Sequence, residues 1–289
     1  MRKALLLAVI VILIDAADAN AHFERAPLGT RSASLGGVFV PLGDDVSTLF
    51  VNAAGLVNMK SPTLYGDFAE AFDPLFDGES RVGAVYPAPW FSVGVGWYRR
   101  GMAEGGGEDL VAAGIAKNLV TNAQGSFLAV GAAMKVGRVA YGPSCSCSES
   151  SSSETETTAD LGIMFRPLPV ISIGYSLINA REIDYALSET YGQWSREHRW
   201  GIAYFWEERV VLGFEPEHAG GRIVNRYGFA VRTSVPLEIL AGFAEENVYG
   251  GIGWVGERAR ASFAFESDEE NGVHARASVE LFLRFDEDD

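Results

Sequence analysis

Residues 273–285 read VHARASVELFLRF and alternate without a break. Val273, Ala275, Ala277, Val279, Leu281, Leu283 and Phe285 make one face, and His274, Arg276, Ser278, Glu280, Phe282 and Arg284 make the other. Period two belongs to an extended strand, whose successive side chains point to opposite sides. Taken alone, the stretch fits two structures. A soluble sandwich hides the apolar face under a second sheet, whereas a membrane barrel turns it to lipid and the polar face to its lumen.

The stretches just upstream separate the two. In 222–234, Ile223, Asn225, Tyr227, Phe229, Val231 and Thr233 oppose Val224, Arg226, Gly228, Ala230, Arg232 and Ser234. In 237–244, Leu237, Ile239, Ala241 and Phe243 oppose Glu238, Leu240, Gly242 and Ala244, and in 258–266, Ala259, Ala261, Phe263 and Phe265 oppose Arg258, Arg260, Ser262, Ala264 and Glu266. One face is repeatedly large and apolar, while the other mixes glycine, alanine and charge. A dry sandwich core would have to pair each of those charges at considerable cost. A crowded, hydrated or plugged lumen accommodates them. Arg226, Arg232, Glu238, Arg258, Arg260, Arg276, Glu280 and Arg284 are therefore expected to project into one lumen as a ladder of charge that holds whatever fills it.

Carried toward the N-terminus, the same pattern gives fourteen strands, at 63–71, 80–86, 90–99, 109–118, 126–140, 157–166, 170–178, 198–207, 209–215, 222–234, 237–244, 248–255, 258–266 and 273–285. Their connections form two sets. Those at 87–89, 119–125, 167–169, 208, 235–236 and 256–257 are short. Those at 72–79, 101–108, 141–156, 179–197, 216–221, 245–247 and 267–272 are longer on average and hold the serine- and acid-rich run and most of the negative patches. Short periplasmic turns and long outer loops are the habit of outer-membrane barrels, and closing the sheet removes edges that lipid cannot satisfy. Trp90, Phe91, Trp97, Tyr98, Trp200, Tyr204, Trp206, Tyr227, Tyr249 and Trp254 are expected at the two interfaces. Phe72, Phe76, Tyr191 and Trp194 fall in outer loops, where they either pack those loops or form a mouth.

The N-terminus supports export. Arg2 and Lys3 precede an apolar run from Ala4 to Ile14, and Ala19-Asn20-Ala21 is a small-x-small cleavage site. The run is too short for a spanning helix, which needs roughly 18 apolar residues. A net charge of -15 argues against a nucleic-acid partner. Glycine, at 33 of 289 residues and without a collagen period, fits many turns and close backbone approaches. Cys145 and Cys147 lie one residue apart in a serine- and acid-rich run and cannot staple distant parts of the chain.

Between the leader and the first strand, residues 22–60 lack strand alternation. They carry a Gly36-Gly37 pair, then Asp44-Asp45 as a candidate cap for a short helix over 46–51, then Asn52-Ala53-Ala54-Gly55-Leu56. Such a segment either caps the periplasmic end of the barrel or enters the lumen, and its small, nearly uncharged surface suits entering. Gly55 also fits an ordinary helix C-cap.

Residues 30–56, TRSASLGGVFVPLGDDVSTLFVNAAGL, resemble the N-terminal segment of the long-chain fatty-acid transporter superfamily of outer-membrane barrels, and more so its smaller relatives associated with type IX secretion. The resemblance rests on Gly36-Gly37, on Asp44-Asp45, and on Asn52, Ala54, Gly55 and Leu56, with Ala53 where that family has proline. It implies a fourteen-stranded barrel closed by an N-terminal hatch, with Asn52, Ala53 and Ala54 at the constriction. It also implies a hydrophobic ligand that leaves through an opening in the wall. Any apolar ligand is expected near Leu49, Phe50 and Leu56.

No motif points to catalysis. The chain has no Gly-x-Ser-x-Gly, no His-Glu-x-x-His and no phosphate-binding loop, and His22, His198, His218 and His274 are scattered. The sequence thus predicts an all-β protein, a fourteen-stranded antiparallel transmembrane barrel, with residues 1–21 as signal peptide, 22–60 as hatch or plug, 61–285 as barrel and 286–289 as an acidic tail. The expected location is the outer membrane of a Gram-negative-type bacterium, in contact with its lipid, without enzymatic activity, cofactor or metal. The expected function is uptake of hydrophobic small molecules. The alternative is a shuttle or scaffold whose partner is a secreted protein or secretion machinery.

Overall fold

Strands whose polar groups face lipid on both flanks must pair on both sides, and the chain meets that demand by joining its last strand to its first. In the computed structural model, which describes residues 28–69, 76–102, 106–140, 153–184, 193–207, 209–219, 221–245, 247–268 and 272–283, the strands are β1 (Thr63–Ala69), β2 (Phe76–Pro87), β3 (Ser92–Met102), β4 (Gly106–Thr121), β5 (Phe127–Ala140), β6 (Ser153–Leu168), β7 (Ile171–Ile178), β8 (Ile183–Asp184), β9 (Gln193–Trp194), β10 (Glu197–Trp206), β11 (Val210–Ala219), β12 (Arg222–Arg232), β13 (Leu237–Ala244), β14 (Asn247–Val255), β15 (Ala259–Asp268) and β16 (Gly272–Phe282). All but β8 and β9 form one closed antiparallel barrel of fourteen strands. β7 pairs with β10 past the small β8–β9 hairpin, and β16 returns to β1 with Thr63 opposite Phe282 and Ala69 opposite Arg276. Every wall strand thus has two partners, which is what a bilayer requires of a sheet.

Each of the fourteen expected strands is present, and the largest differences lie at their outer ends. β4 begins at Gly106 and β6 at Ser153, well before the expected 109 and 157. The polar residues there still pair, Ser153 with Ala140 and Thr157 with Val136. Alternation of apolar and polar residues reports only the part of a strand beside lipid, so a ladder that continues above it into water is invisible to the pattern. The leader, Phe72, Cys145, Cys147, Tyr191, Arg284 and residues 286–289 lie outside the described residues.

Side chains sort by parity. Leu64, Phe68, Val82, Val95, Val111, Ile115, Ile163, Ile202, Leu212, Phe229, Ile239, Ile252, Phe263 and Val279 all point outward and are exposed. A band of this size exceeds what a water-facing surface normally leaves bare, and it is the lipid face of a transmembrane barrel. Tyr86, Trp90, Tyr204, Trp206 and Trp254 are exposed near the short-turn end, and Phe68, Tyr175, Tyr227 and Phe243 lie nearer the loop end. Tyr98 and Tyr249 correct the expected girdle: both point into the lumen and are buried, as their parity with Arg100 and Gly251 requires. Trp194 is a second correction. It packs against Gly137 and the luminal core instead of standing in a loop.

The core lies inside the barrel, and residues 28–62 fill it. This segment forms α1 (Thr30–Ser34), α2 (Thr48–Val51) and a 3-10 turn (Ala53–Asn58), all short because neither has more than a turn of backbone to satisfy before the chain meets the wall. Leu35, Val38, Phe39, Val40, Val46, Leu49, Phe50, Val51 and Leu56 are buried there.

Replacing outward-facing Ile252, midway along β14, by arginine is expected to cost roughly 2–4 kcal/mol of folding into vesicles, measured by urea titration. A change close to zero would mean that this face is wet.

Candidate functional site

An irregular chain buried in a barrel brings peptide groups that need partners, and here charged side chains of the wall supply them. Gly36 and Gly37 take positive φ (65° and 88°), closing α1 with hydrogen bonds from their N–H groups to Ala33 and Ser32 carbonyls. The turn aims their own carbonyls at the wall. Gly36 O accepts from Arg226 Nη1 at 3.1 Å, and Gly37 O accepts from Arg199 Nη2 at 2.8 Å. A Cβ on Gly36 would also lie 2.8 Å from Phe243 N, so the position is closed to side chains on two counts.

Glu215 accepts hydrogen bonds from both Phe39 N and Val40 N at 2.7 Å through Oε2, while Oε1 pairs with Arg199. Glu217 pairs with Arg226. At the other end of the segment Asp67 accepts from Thr30 N at 2.9 Å, from Thr30 Oγ1, and from Arg81. Arg276 donates to Leu28 O and to Glu79, and Arg260 donates to Asp44 O and Glu280, each at 2.9–3.3 Å. Arg31, on the segment itself, is held by Asp44 and Glu238. These wall charges are paired, and most of them also clamp backbone.

Contact with the wall is closest where a strand carries glycine. Gly83 pairs with Gly96, Gly94 with Gly114, Gly131 with Gly162, Gly174 with Gly201, and Gly228 with both Gly213 and Gly242. These form a belt of notches around much of the lumen. Val46 sits over Gly83, Phe50 over Gly96, Leu49 over Gly114, Ala53 over Gly131, Asn52 over Gly162, Val40 over Gly174, Val38 over Gly213, and Gly36 over Gly242. Any Cβ on the wall there would collide with the segment.

The predicted site residues fall in distinct places. Asn52 is central: its amide donates to Val40 O at 2.8 Å and to Ile163 O at 3.3 Å, and its Oδ1 accepts from Ala54 N, so one side chain joins both halves of the segment to β6. Ala53, Ala54 and Gly55 are buried beside it, Gly55 against Gly43. Asp44 faces Arg31, and Asp45 accepts from Ser47 N and Oγ at 2.8 and 2.5 Å. Arg226, Glu238, Arg260, Arg276 and Glu280 gather in the lumen. Arg232 stands at the short-turn mouth, 3.8 Å from Glu238. Arg258 falls instead in the exposed turn before β15, because β15 starts one residue later than the alternation implies. Leu49, Phe50 and Leu56 pack with Val46, Ala53 and Met59 against Val85, Tyr98, Leu110, Ala112, Ala116 and Ala133 of β2–β5.

The lumen is therefore two-sided. Level with residues 46–59, β2–β5 offers the segment carbon and small residues, its own buried charges Glu79, Arg81, Glu108 and Lys135 lying nearer the loop end; from β10 round to β1 the segment meets paired charge. Below the apolar side, at the short-turn mouth, lies a cavity of about 460 Å³ bordered by Val57, Met59, Trp90, Phe91, Ala116 and Asn118. Glu215, Glu217, Arg199, Asp67, Arg81 and Glu79 escaped the sequence reading. Glu215 and Glu217 flank Pro216, which obscured the alternation, and Glu79 and Arg81 sit at the edge of an expected strand. Their signal was parity with mid-strand glycines such as Gly83 and Gly213.

Burial, and then the neighbouring Asp44 carboxylate, push the Asp45 carboxyl up to about 6, against the opposing pull of Ser47 and Arg260; Glu280 faces the same group. A group raised on docking contributes fully below its free value of about 4, and that contribution is lost as pH rises through the docked value.

Several solved structures share this architecture. The chain aligns over 92% of its length and 100% of the other with a monoaromatic hydrocarbon channel, CymD, at a TM-score of 0.69 and 11% identity. It aligns over 90% and 99% with the toluene transporter TbuX of Ralstonia pickettii, at 0.62 and 11%. It aligns over 91% and 100% with a FadL homologue of Pseudomonas aeruginosa, at 0.61 and 9%. At such identity the likeness is one of fold. No family model and no curated protein matches the sequence.

Glu215→Gln should free the Phe39 and Val40 amides, since charge-assisted hydrogen bonds contribute roughly 1.5–3 kcal/mol each. Their hydrogen exchange is expected to rise at least about tenfold, and unchanged protection would show that Glu215 does not hold the segment. In a separate comparison, exchange across residues 44–50 should quicken between pH about 5 and about 7 beyond its intrinsic rise, with the excess lost in Asp45→Asn.

Proposed function

We propose that this protein is an outer-membrane barrel that passes hydrophobic small molecules, with residues 28–62 as its hatch. The observation that carries the reading is the two-sided lumen. Beside Leu49, Phe50 and Leu56, a neutral apolar molecule against β2–β5 exchanges side-chain contacts of the segment for contacts with itself, and at that level the segment makes no ion pair with the wall that would have to break. Ala112, Ala116 and Ala133, with Gly94, Gly96 and Gly114, keep that side thin enough for a modest shift of the segment to open it. The same shift on the opposite side would strip Arg199, Glu215 and Arg226 of their partners, at several kcal/mol for each buried charge left alone. Charge thus acts as the hinge and carbon as the opening edge. The cavity below Met59 receives what passes. Structures of like fold described as hydrocarbon channels and toluene transporters support the reading.

A reversible lock tests it. A Cβ on Gly83 would lie 2.9 Å from Val46 Cγ1, close to the Cβ-to-Sγ spacing of about 3 Å implied by disulfide geometry. In a Cys145→Ser, Cys147→Ser background, Val46→Cys with Gly83→Cys should form a bond that pins the opening edge. Uptake of radiolabelled toluene by Gram-negative host cells carrying the barrel is expected to fall at least about tenfold when the pair is oxidised and to recover on reduction. Equal uptake in both states would remove the hatch from the mechanism.

A further inference from the structure

Across the short-turn mouth from the cavity beside Trp90 lies a larger one, of about 620 Å³, which is bordered by several cations. Lys60, Arg166, Arg232 and Arg260 border it, against Asp44 and Glu257, in a chain whose formal net charge is -15. Asp44 is already engaged by Arg31. The luminal cations described above each sit on a carboxylate; Arg166 does not. Among the described residues it makes no ion pair, and its guanidinium lies over the rings of Phe127 at 5.2 Å and Phe205 at 4.9 Å. Its Nε, like that of Arg260, is buried without a hydrogen-bond partner among the described residues. Arg232 has only Glu238, at 3.8 Å.

A guanidinium that lies over two rings is restricted in orientation, and its terminal nitrogens form a planar fork that matches a carboxylate. Beside that fork the cavity offers carbon: Leu42, Met59, Phe205 and Phe282. A space of this size takes a small organic molecule whole. We infer that this cavity binds an organic carboxylate, its head on Arg166 with Arg232 and Lys60 nearby, and its compact apolar body against Met59 and Phe205. The site rests on the transport reading insofar as its ligand is cargo or product at the exit.

The test is photolabelling of the full-length barrel in non-ionic detergent, where no transport is involved, so its failure is separable from failure of the uptake experiment. Para-azidobenzoate and its neutral twin para-azidobenzamide share one body and differ only in the head. Mass spectrometry of the labelled peptides is expected to place the acid on the stretches around Met59 and Phe205, at least about tenfold above the amide. Arg166→Gln should lose that excess and Arg166→Lys retain part of it, with folding of each variant checked by its unheated electrophoretic mobility. Equal labelling by acid and amide would overturn the proposal, as would an unchanged acid signal in correctly folded Arg166→Gln. Displacement of the acid by equimolar inorganic phosphate would also overturn it, by showing a site for free anions in place of an organic acid.

Discussion

Peptide groups taken out of water must be hydrogen-bonded, and this molecule faces that requirement twice. In the wall the solution is closure, with β16 pairing β1 so that no strand has a free edge in lipid. In the lumen no sheet is available to residues 28–62, and the solution is a set of long charged side chains that reach in from the wall. Arg199, Arg226, Arg260 and Arg276 take carbonyls, while Glu215 and Asp67 take N–H groups. Ion pairs between those same residues limit the cost of burying them. The charges that look extravagant in a barrel interior are thus the condition for an irregular chain to be there at all.

That arrangement divides labour across the lumen. The charged side is specific in geometry and costly to part, because most of its arginines and carboxylates serve both a neighbour and a peptide group. The apolar side is held by contacts that are individually small and readily replaced by another apolar body. On the proposed transport reading, opposite mechanical properties on the two sides of one short segment would let it be retained and displaced without leaving the barrel.

The wall was legible in the sequence because lipid on one side and a filled lumen on the other impose strict parity, as Val279 and Leu281 outside and Ser278 and Glu280 inside show. The lumen was legible in part. Asn52 and the Gly36-Gly37 pair stood out through the resemblance of residues 30–56 to a known hatch segment, since by themselves they also fit an ordinary helix end and turn. Glu215 and Asp67 did not, since a carboxylate in a strand carries no mark of which distant peptide it will meet. Tyr98 and Tyr249 were misplaced by residue type, aromatic side chains being expected at interfaces, although their parity pointed inward. Trp194 was assigned to a loop because nothing in the sequence shows that Gly137 leaves a space for its ring.

The glycine notches also bear on how the molecule is put together. Their shape is complementary to a segment that precedes β1 in the chain, and a closed barrel offers no side passage through which Leu35 to Leu56 could be threaded into them. The natural order is that the nascent sheet curls around the segment while its edges are still apart. Thr30 on Asp67 and Leu28 on Arg276 then bring β1 toward β16. On this order the pairing of those two strands is the final event of assembly, and the contents of the barrel act as the mandrel on which it is wound.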